Sequence, residues 1–508
     1  MLSTVLSSGI LGVDGVLVEV QVDIGTGIPA IDLAGLPDSA IKEARERVRT
    51  AIKNSGYTFP GKRITINLAP ADLKKEGASY DLPIAMGILA CCGLVPEEAL
   101  KGALIIGELS LDGSVRKVNG VLSMVHSAFQ EGITKFYVPE ENREEAALVQ
   151  GAVVYGVKDL VALVDHLNGL EQISPCVVDW QAGHLDEEEA MPDFADVKGQ
   201  ETVKRAMLIA AAGRHNLLMV GPPGSGKTML AKRLPSILPD LTFEECIELT
   251  KIYSVSGLLS NKNALIRKRP FRSPHHTISA TALTGGGRIP KPGEISLAHK
   301  GALFLDELPE FSRSALEIMR QPLEEKRVTI SRVNGTITYP SDFMLVAAMN
   351  PCPCGYFGEE RCHCTPSEIS RYSGKISGPL LDRMDIQVEA AAIGYEDLQQ
   401  SRSSMSSAQM KEEVLRVQEI QKKRYETERI SYNSELTPAL IEVYCPLGQR
   451  EQALLKTAFD RLQLSARGYH KILKVARTVA DLDGSEEILV SHLAEVIQYR
   501  NLDRKYRF

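Results

Sequence analysis

Leu217-Leu-Met-Val220-Gly221-Pro-Pro-Gly-Ser-Gly-Lys227-Thr228 decides how the rest of the chain is read. The apolar run has the composition of a short buried strand, and G-x-x-x-x-G-K-T spacing follows it directly. Gly221, Pro222, Pro223, Gly224, Ser225 and Gly226 make the curl that wraps phosphate oxygens and offers them backbone N–H groups. Lys227 brings a point charge to the β- and γ-phosphates, and Thr228 brings a hydroxyl to the Mg²⁺ of bound ATP. The helical stretch that begins at Met229 aims its N-terminus at the same anion. ATP and Mg²⁺ are therefore the expected cofactors.

Two further strand ends fit this loop. Ala302-Leu-Phe-Leu305 is an apolar run closed by Asp306 and Glu307. In a P-loop enzyme such an Asp holds Mg²⁺ and the adjacent Glu polarises the attacking water. Phe343-Met-Leu-Val-Ala-Ala-Met349 ends in the amide of Asn350. The set resembles AAA+ ATPases, in which an Asn so placed positions the hydrolytic water. Leu380-Leu-Asp-Arg383-Met-Asp385 is similar to the segment that carries the arginine finger in the magnesium-chelatase and MCM branches of AAA+. Arg467, in Leu464-Ser-Ala-Arg467-Gly-Tyr-His470, is similar to the sensor-2 position, with Arg477 a weaker alternative on the same helix. A finger works on a neighbour's nucleotide, so the resemblance implies a homo-oligomeric ring, a hexamer.

Outward from the loop, the fold class reads as multidomain α/β and α+β. Residues 1–168 mix strands with helices. Val16–Ile24 alternates with period two, Arg63–Asn67 and Lys135–Val138 are strand-like, and Ile41–Asn54 has helical spacing. Residues 169–193 are polar, with the acidic run Asp186–Glu189, and read as a linker. Strand–helix alternation over 194–394 marks an AAA+ core. Residues 395–508 read as a helical lid, with helices near 409–425, 437–444, 448–463, 469–482 and 491–500.

The stretch from Pro270-Phe-Arg-Ser-Pro-His-His-Thr through Leu283-Thr-Gly-Gly-Gly to His299 closely resembles the magnesium-chelatase-like group. Together with the N-terminal domain it resembles the bacterial ComM (YifB) family over essentially the whole chain. That resemblance implies an ATP-driven hexameric motor that translocates on DNA and promotes branch migration during recombination and integration of transforming DNA. Arg327–Tyr339 is two alternating runs joined by Asn334-Gly335, a strong hairpin signal, placed where related helicases carry a pore hairpin. Basic residues from Arg267 to Lys291 are a second candidate for phosphate contacts. The alternatives are a protein-remodelling AAA+ and a chelatase-like ATPase that does not act on DNA. Residues 1–168 resemble the C-terminal domain of Lon protease, a ribosomal-protein-S5-like fold. Ser79 aligns with its nucleophile, but Leu122 stands where the partner Lys belongs, so protease activity is not expected.

Cys352-Pro-Cys354 and Cys362-His-Cys364 place four thiols within thirteen positions. They suit a structural Zn²⁺ better than disulfides, with reduced unliganded thiols as the competing reading. The C-x-C spacing is tighter than the usual zinc pattern, and His363 is a substitute ligand that points away in most hairpins. A net charge of −7 confines any DNA contact to a local basic patch. With no apolar run long enough for a membrane span, the chain is expected in a reducing cytoplasm with no membrane partner.

Overall fold

The computed structural model describes residues 2–71, 74–75, 77–179, 191–259, 264–287, 290–332, 335–392, 394 and 405–500. The chain packs as two units: residues 1–186 with 242–266, and residues 187–241 with 267–508.

In the first unit, Leu2–Leu11 and Asp14–Gly25 form an antiparallel hairpin that runs in register from Leu2↔Asp23 to Leu11↔Asp14. Gly12 turns it at a φ of 71°. Val18, Val20 and Val22 are buried while Glu19 and Asp23 face out, the outcome that the period-two pattern requires. The hairpin lies inside a sheet whose described strands run in the order Pro175–Cys176, Val153–Val157, Lys135–Pro139, Ala103–Ile105, Leu2–Leu11, Asp14–Gly25, Arg63–Ala69, Ala30–Ala34. The segment read as linker from residue 169 thus contributes an edge strand, and residues 180–190 lie outside the described residues. Helix Ser39–Asn54 starts where the Asp38 carboxylate accepts the Ile41 N–H at 2.9 Å.

The same unit takes in a stretch that the chain order puts between the P-loop and the basic segment. Helix Phe243–Ser256 opens on a Thr242–Glu245 capping box. Its Ser254 hydroxyl accepts the Gly120 N–H at 2.9 Å, and Lys251 Nζ lies 2.9 Å from His126 Nδ1. Packing thus groups 242–266 with the N-terminal residues rather than with the 194–394 stretch that contains it.

The second unit is built on a parallel sheet in the order Phe271–Arg272, Ala302–Leu305, Met344–Met349, Leu217–Val220, Ile386–Glu389. Its central strands are buried on both faces, which explains why they read as unbroken apolar runs. Helices Ser407–Arg424, Pro438–Tyr444, Gln449–Leu462, Ala466–Leu482 and Val490–Gln498 match the expected pattern closely. The fourth starts earlier than its apolar spacing suggests, because the Ser465 hydroxyl caps the Gly468 N–H at 3.1 Å. Arg327–Arg332 pairs with Gly335–Pro340 as a two-stranded hairpin, and Asn334 of its turn lies outside the described residues.

Candidate functional site

Parallel strands present their carboxyl ends on one edge, and the strand order decides what meets there. Met344–Met349 separates Leu217–Val220 from Ala302–Leu305. Asn350 is therefore delivered between the P-loop and Asp306. Lys227 Nζ donates to Asn350 Oδ1 at 3.3 Å and Thr228 Oγ1 to Asp306 Oδ2 at 2.5 Å. Sequence-distant groups thus converge on one point.

The loop is shaped by its backbone. Gly224 and Gly226 have φ of 79° and 85°, a region that disfavours a side chain. A Cβ on Gly221 would lie 2.2 Å from the Ala390 carbonyl oxygen. Gln200, which belongs to no motif, donates to the carbonyls of Ser225 at 3.2 Å and Ala391 at 2.6 Å. It holds the loop against the edge strand. Lys227 turns its ammonium onto the carbonyls of Gly221 at 2.7 Å and Pro222 at 2.9 Å. Burial lowers its pKa and the Asp306 carboxylate acts the other way.

Asp306 and Glu307 play different parts. Asp306 Oδ1 accepts the Glu307 N–H at 2.9 Å, which fixes the turn. Glu307 itself is left-handed at a φ of 53°, and its Oε2 lies 3.2 Å from His276 Nδ1. The His275 ring is 4.1 Å from that of His276. The Pro-His-His segment carried family resemblance in the sequence without a role, and here one of its rings meets the candidate water-polarising carboxylate.

Arg383 and Arg467 are not brought to the P-loop. Both line a separate cavity of about 580 Å³ to which no P-loop residue contributes. Arg383 is held by Glu324 and by the Pro379 carbonyl, whereas Arg467 is exposed in the first turn of its helix. Arg477 is engaged elsewhere, at the end of its own helix. It is 2 % exposed and bonds Asp481, the Ser485 carbonyl at 2.6 Å and the Glu486 carbonyl at 2.7 Å.

The four clustered cysteines do converge. Their Sγ atoms all lie within 4.8 Å of one another, and those of Cys352 and Cys354 are 3.3 Å apart. His363 stays outside, with its Nδ1 3.2 Å from the Arg361 carbonyl. Burial pushes the Cys352 thiol up to about 12. Burial also opposes ionisation of Cys354, but backbone N–H groups of Tyr356 and His363 and the neighbouring thiols bring it down to about 6.

Among the basic residues, Arg269 is occupied by the carbonyls of Pro239 and Lys300 at 2.6 Å each, and Arg272 by Glu294 at 2.7 Å. Arg267, Lys268 and Lys291 are exposed. On the hairpin, Thr329 faces Thr338 and Ser331 faces Thr336 across its exposed side.

The sequence is similar to those of known proteins. The family model described as magnesium chelatase, subunit ChlI, matches residues 193–398; subunit ChlI of Mg-chelatase matches residues 20–142, and its C-terminal model matches residues 404–500. Competence protein ComM of Haemophilus influenzae is 44% identical over 508 residues, covering 99% of this chain and 98% of that protein. Protein YifB of Escherichia coli is 43% identical over 505 residues, with 99% and 98% covered. The magnesium-chelatase 67 kDa subunit of Chlorobaculum parvum is 27% identical over 162 residues, 31% of this chain and 23% of that protein. Among the described residues no helix is long and apolar enough to cross a membrane.

Proposed function

The chain belongs to the ComM/YifB family of magnesium-chelatase-like AAA+ proteins, and from that premise we propose that it is a ring-forming ATPase that moves on DNA. The observation that carries the ATPase reading is the meeting of Thr228 with Asp306 and of Lys227 with Asn350. With ATP bound, Lys227 exchanges carbonyl partners for phosphate oxygens. Thr228 and Asp306 would hold the Mg²⁺ that offsets phosphate charge, and Asn350 would orient the attacking water. Glu307 must leave His276 to face that water.

Arg383 and Arg467 complete the site from the next subunit. Both sit on a cavity remote from their own P-loop, so a head-to-tail ring can turn them towards a neighbour's γ-phosphate. A hexamer closes such a ring. DNA as the track is supported by the exposed hydroxyl-rich hairpin, by Arg267, Lys268 and Lys291, and by similarity to a competence protein. The proposed role is branch migration as transforming DNA is integrated. ATP hydrolysis should rise several-fold with single-stranded or branched DNA, and the gain should shrink as salt rises, because phosphate contacts release counterions. An ATPase rate indifferent to either DNA would sink the motor reading and favour a protein or tetrapyrrole-related substrate.

Residues 1–168 form a Lon-C/S5-like domain without proteolytic function. Leu122, where the base would stand, is buried near the start of helix Val121–Gln130, and its N–H donates to Glu145 at 3.0 Å. Lys75 donates to the Pro70 carbonyl. Ser79→Ala is expected to leave DNA-dependent hydrolysis and the absence of casein cleavage unchanged. A cleavage activity that this variant loses would overturn the assignment. Residues 395–508 act as the lid, and Cys352, Cys354, Cys362 and Cys364 hold a structural Zn²⁺.

A further inference from the structure

Four thiols held within 4.8 Å of one another flank a loop with little core of its own. Between Cys352 and Cys364 the only large apolar side chains are Tyr356 and Phe357. A segment this short needs a staple to hold one shape. Zn–S bonds of about 2.3 Å in a tetrahedron place sulfurs about 3.8 Å apart. The observed edges include 3.3 Å for Cys352–Cys354, 3.9 Å for Cys352–Cys362 and 3.7 Å for Cys354–Cys362. All exceed a disulfide bond length, and all four cysteines are free thiols.

This loop is joined to the nucleotide site at three places. Cys352 follows Asn350 with only Pro351 between them, and Asn350 accepts from Lys227 at 3.3 Å. The helix after the loop, Pro366–Ser373, carries Tyr372, whose pKa burial raises while the nearby Asn350 backbone acts the other way. The third join is steric. Gly355 has a φ of 87°, and its N–H closes a turn on the Cys352 carbonyl at 3.0 Å. A Cβ there would lie 2.4 Å from Cδ and 2.7 Å from Cγ of Pro223. Pro223 is part of the phosphate-wrapping curl. The knuckle between two metal ligands is therefore packed directly on the P-loop.

We infer that a zinc ion bound by the four cysteines braces the P-loop through the Gly355–Pro223 contact, so that nucleotide affinity depends on metal occupancy. The inference rests on the structural-zinc and ATP-site readings above and adds the coupling between them. In the apo loop, Gly355 loses its fixed position, and Pro223 and Asn350 lose a wall. Zinc supplies no catalytic chemistry here.

The test uses the full chain purified without chelator, with metal content measured by mass spectrometry and a fluorescent ATP analogue as the nucleotide probe. Wild type should carry one zinc per chain and bind the analogue. Cys362→Ser/Cys364→Ser should lose the metal and bind roughly tenfold more weakly or worse, the size typical of a lost supporting contact. Gly355→Ala should keep the zinc yet bind the analogue with a comparable loss, which separates the brace from the metal and stands even if the double variant misfolds. Circular dichroism melting of each variant identifies a loss due to unfolding. Wild type without zinc would overturn the metal. Zinc-replete wild type together with a folded, zinc-free or Gly355→Ala variant of unchanged affinity would overturn the coupling, while leaving the zinc and ATP readings in place. A wild type that binds zinc but no analogue would instead remove the nucleotide site itself, and the coupling with it.

Discussion

Glu307→Gln binds ATP with wild-type affinity and hydrolyses it roughly 10²- to 10⁴-fold more slowly, the span expected when a positioned proton acceptor is removed. The amide keeps the shape of the carboxylate and leaves Thr228, Asp306 and Lys227 in place, so phosphate and Mg²⁺ binding survive. What it loses is the basic oxygen that draws a proton from the attacking water. The Glu307 N–H still donates to Asp306, because that bond uses the backbone, so the turn is kept. Single-turnover hydrolysis and equilibrium binding of the same preparation read the two effects separately. A rate within about tenfold of wild type would move the base elsewhere and demote Glu307 to a strand-end carboxylate. Mixing the variant into wild type adds a second readout. Glu307→Gln subunits still lend Arg383 to their neighbours, so sites that fire independently lose activity only in proportion to the variant's share, and a steeper fall means that hydrolysis is coupled from one subunit to the next.

Much of that site could be read along the chain because each of its parts closes a buried strand. Leu217–Val220, Ala302–Leu305 and Met344–Met349 are apolar on both faces and end in polar groups, a contrast visible without coordinates. The helices of 405–500 were equally legible, since their apolar stripes repeat and Ser406, Thr437 and Ser465 cap them. Contacts decided in three dimensions were not. Gln200 acts on the site from an element with no motif, and His276 reaches Glu307 from a loop whose sequence signals only resemblance. Helix 243–256 sits in the chain as if part of the core, and its bonds to Gly120, His126 and Glu145 reveal the unit it joins. Arg383 and Arg467 show the limit differently: they line a cavity to which no P-loop residue contributes, so the roles proposed for them rest on resemblance and not on contacts within the chain.

Arg477 illustrates what a helix position can hide, and its replacement carries the largest expected stability loss. Arg467 and Arg477 share helix Ala466–Leu482, but ten residues separate them by about 15 Å of helix axis and place them on different faces. One phosphate cannot serve both. Arg477 lies within a closed network in which Asp481, also buried, takes Arg424 at 2.8 and 2.5 Å, Asn433 at 2.9 Å and Arg477 at 3.2 Å. Arg477 also supplies the donors for two carbonyls past the helix end. Arg477→Met fills much of the space yet leaves those carbonyls without their donors and Asp481 short of one cation. Breaking a buried pair in this one-sided way costs about 3–5 kcal/mol. Chemical denaturation should register that loss, while nucleotide affinity of the folded protein at low temperature is retained. Arg467→Ala should do the reverse, shifting stability by no more than about 0.5 kcal/mol, as surface changes do, while lowering ATP turnover. An Arg477→Met protein of wild-type stability but reduced turnover would exchange the two assignments and move the sensor to the buried position.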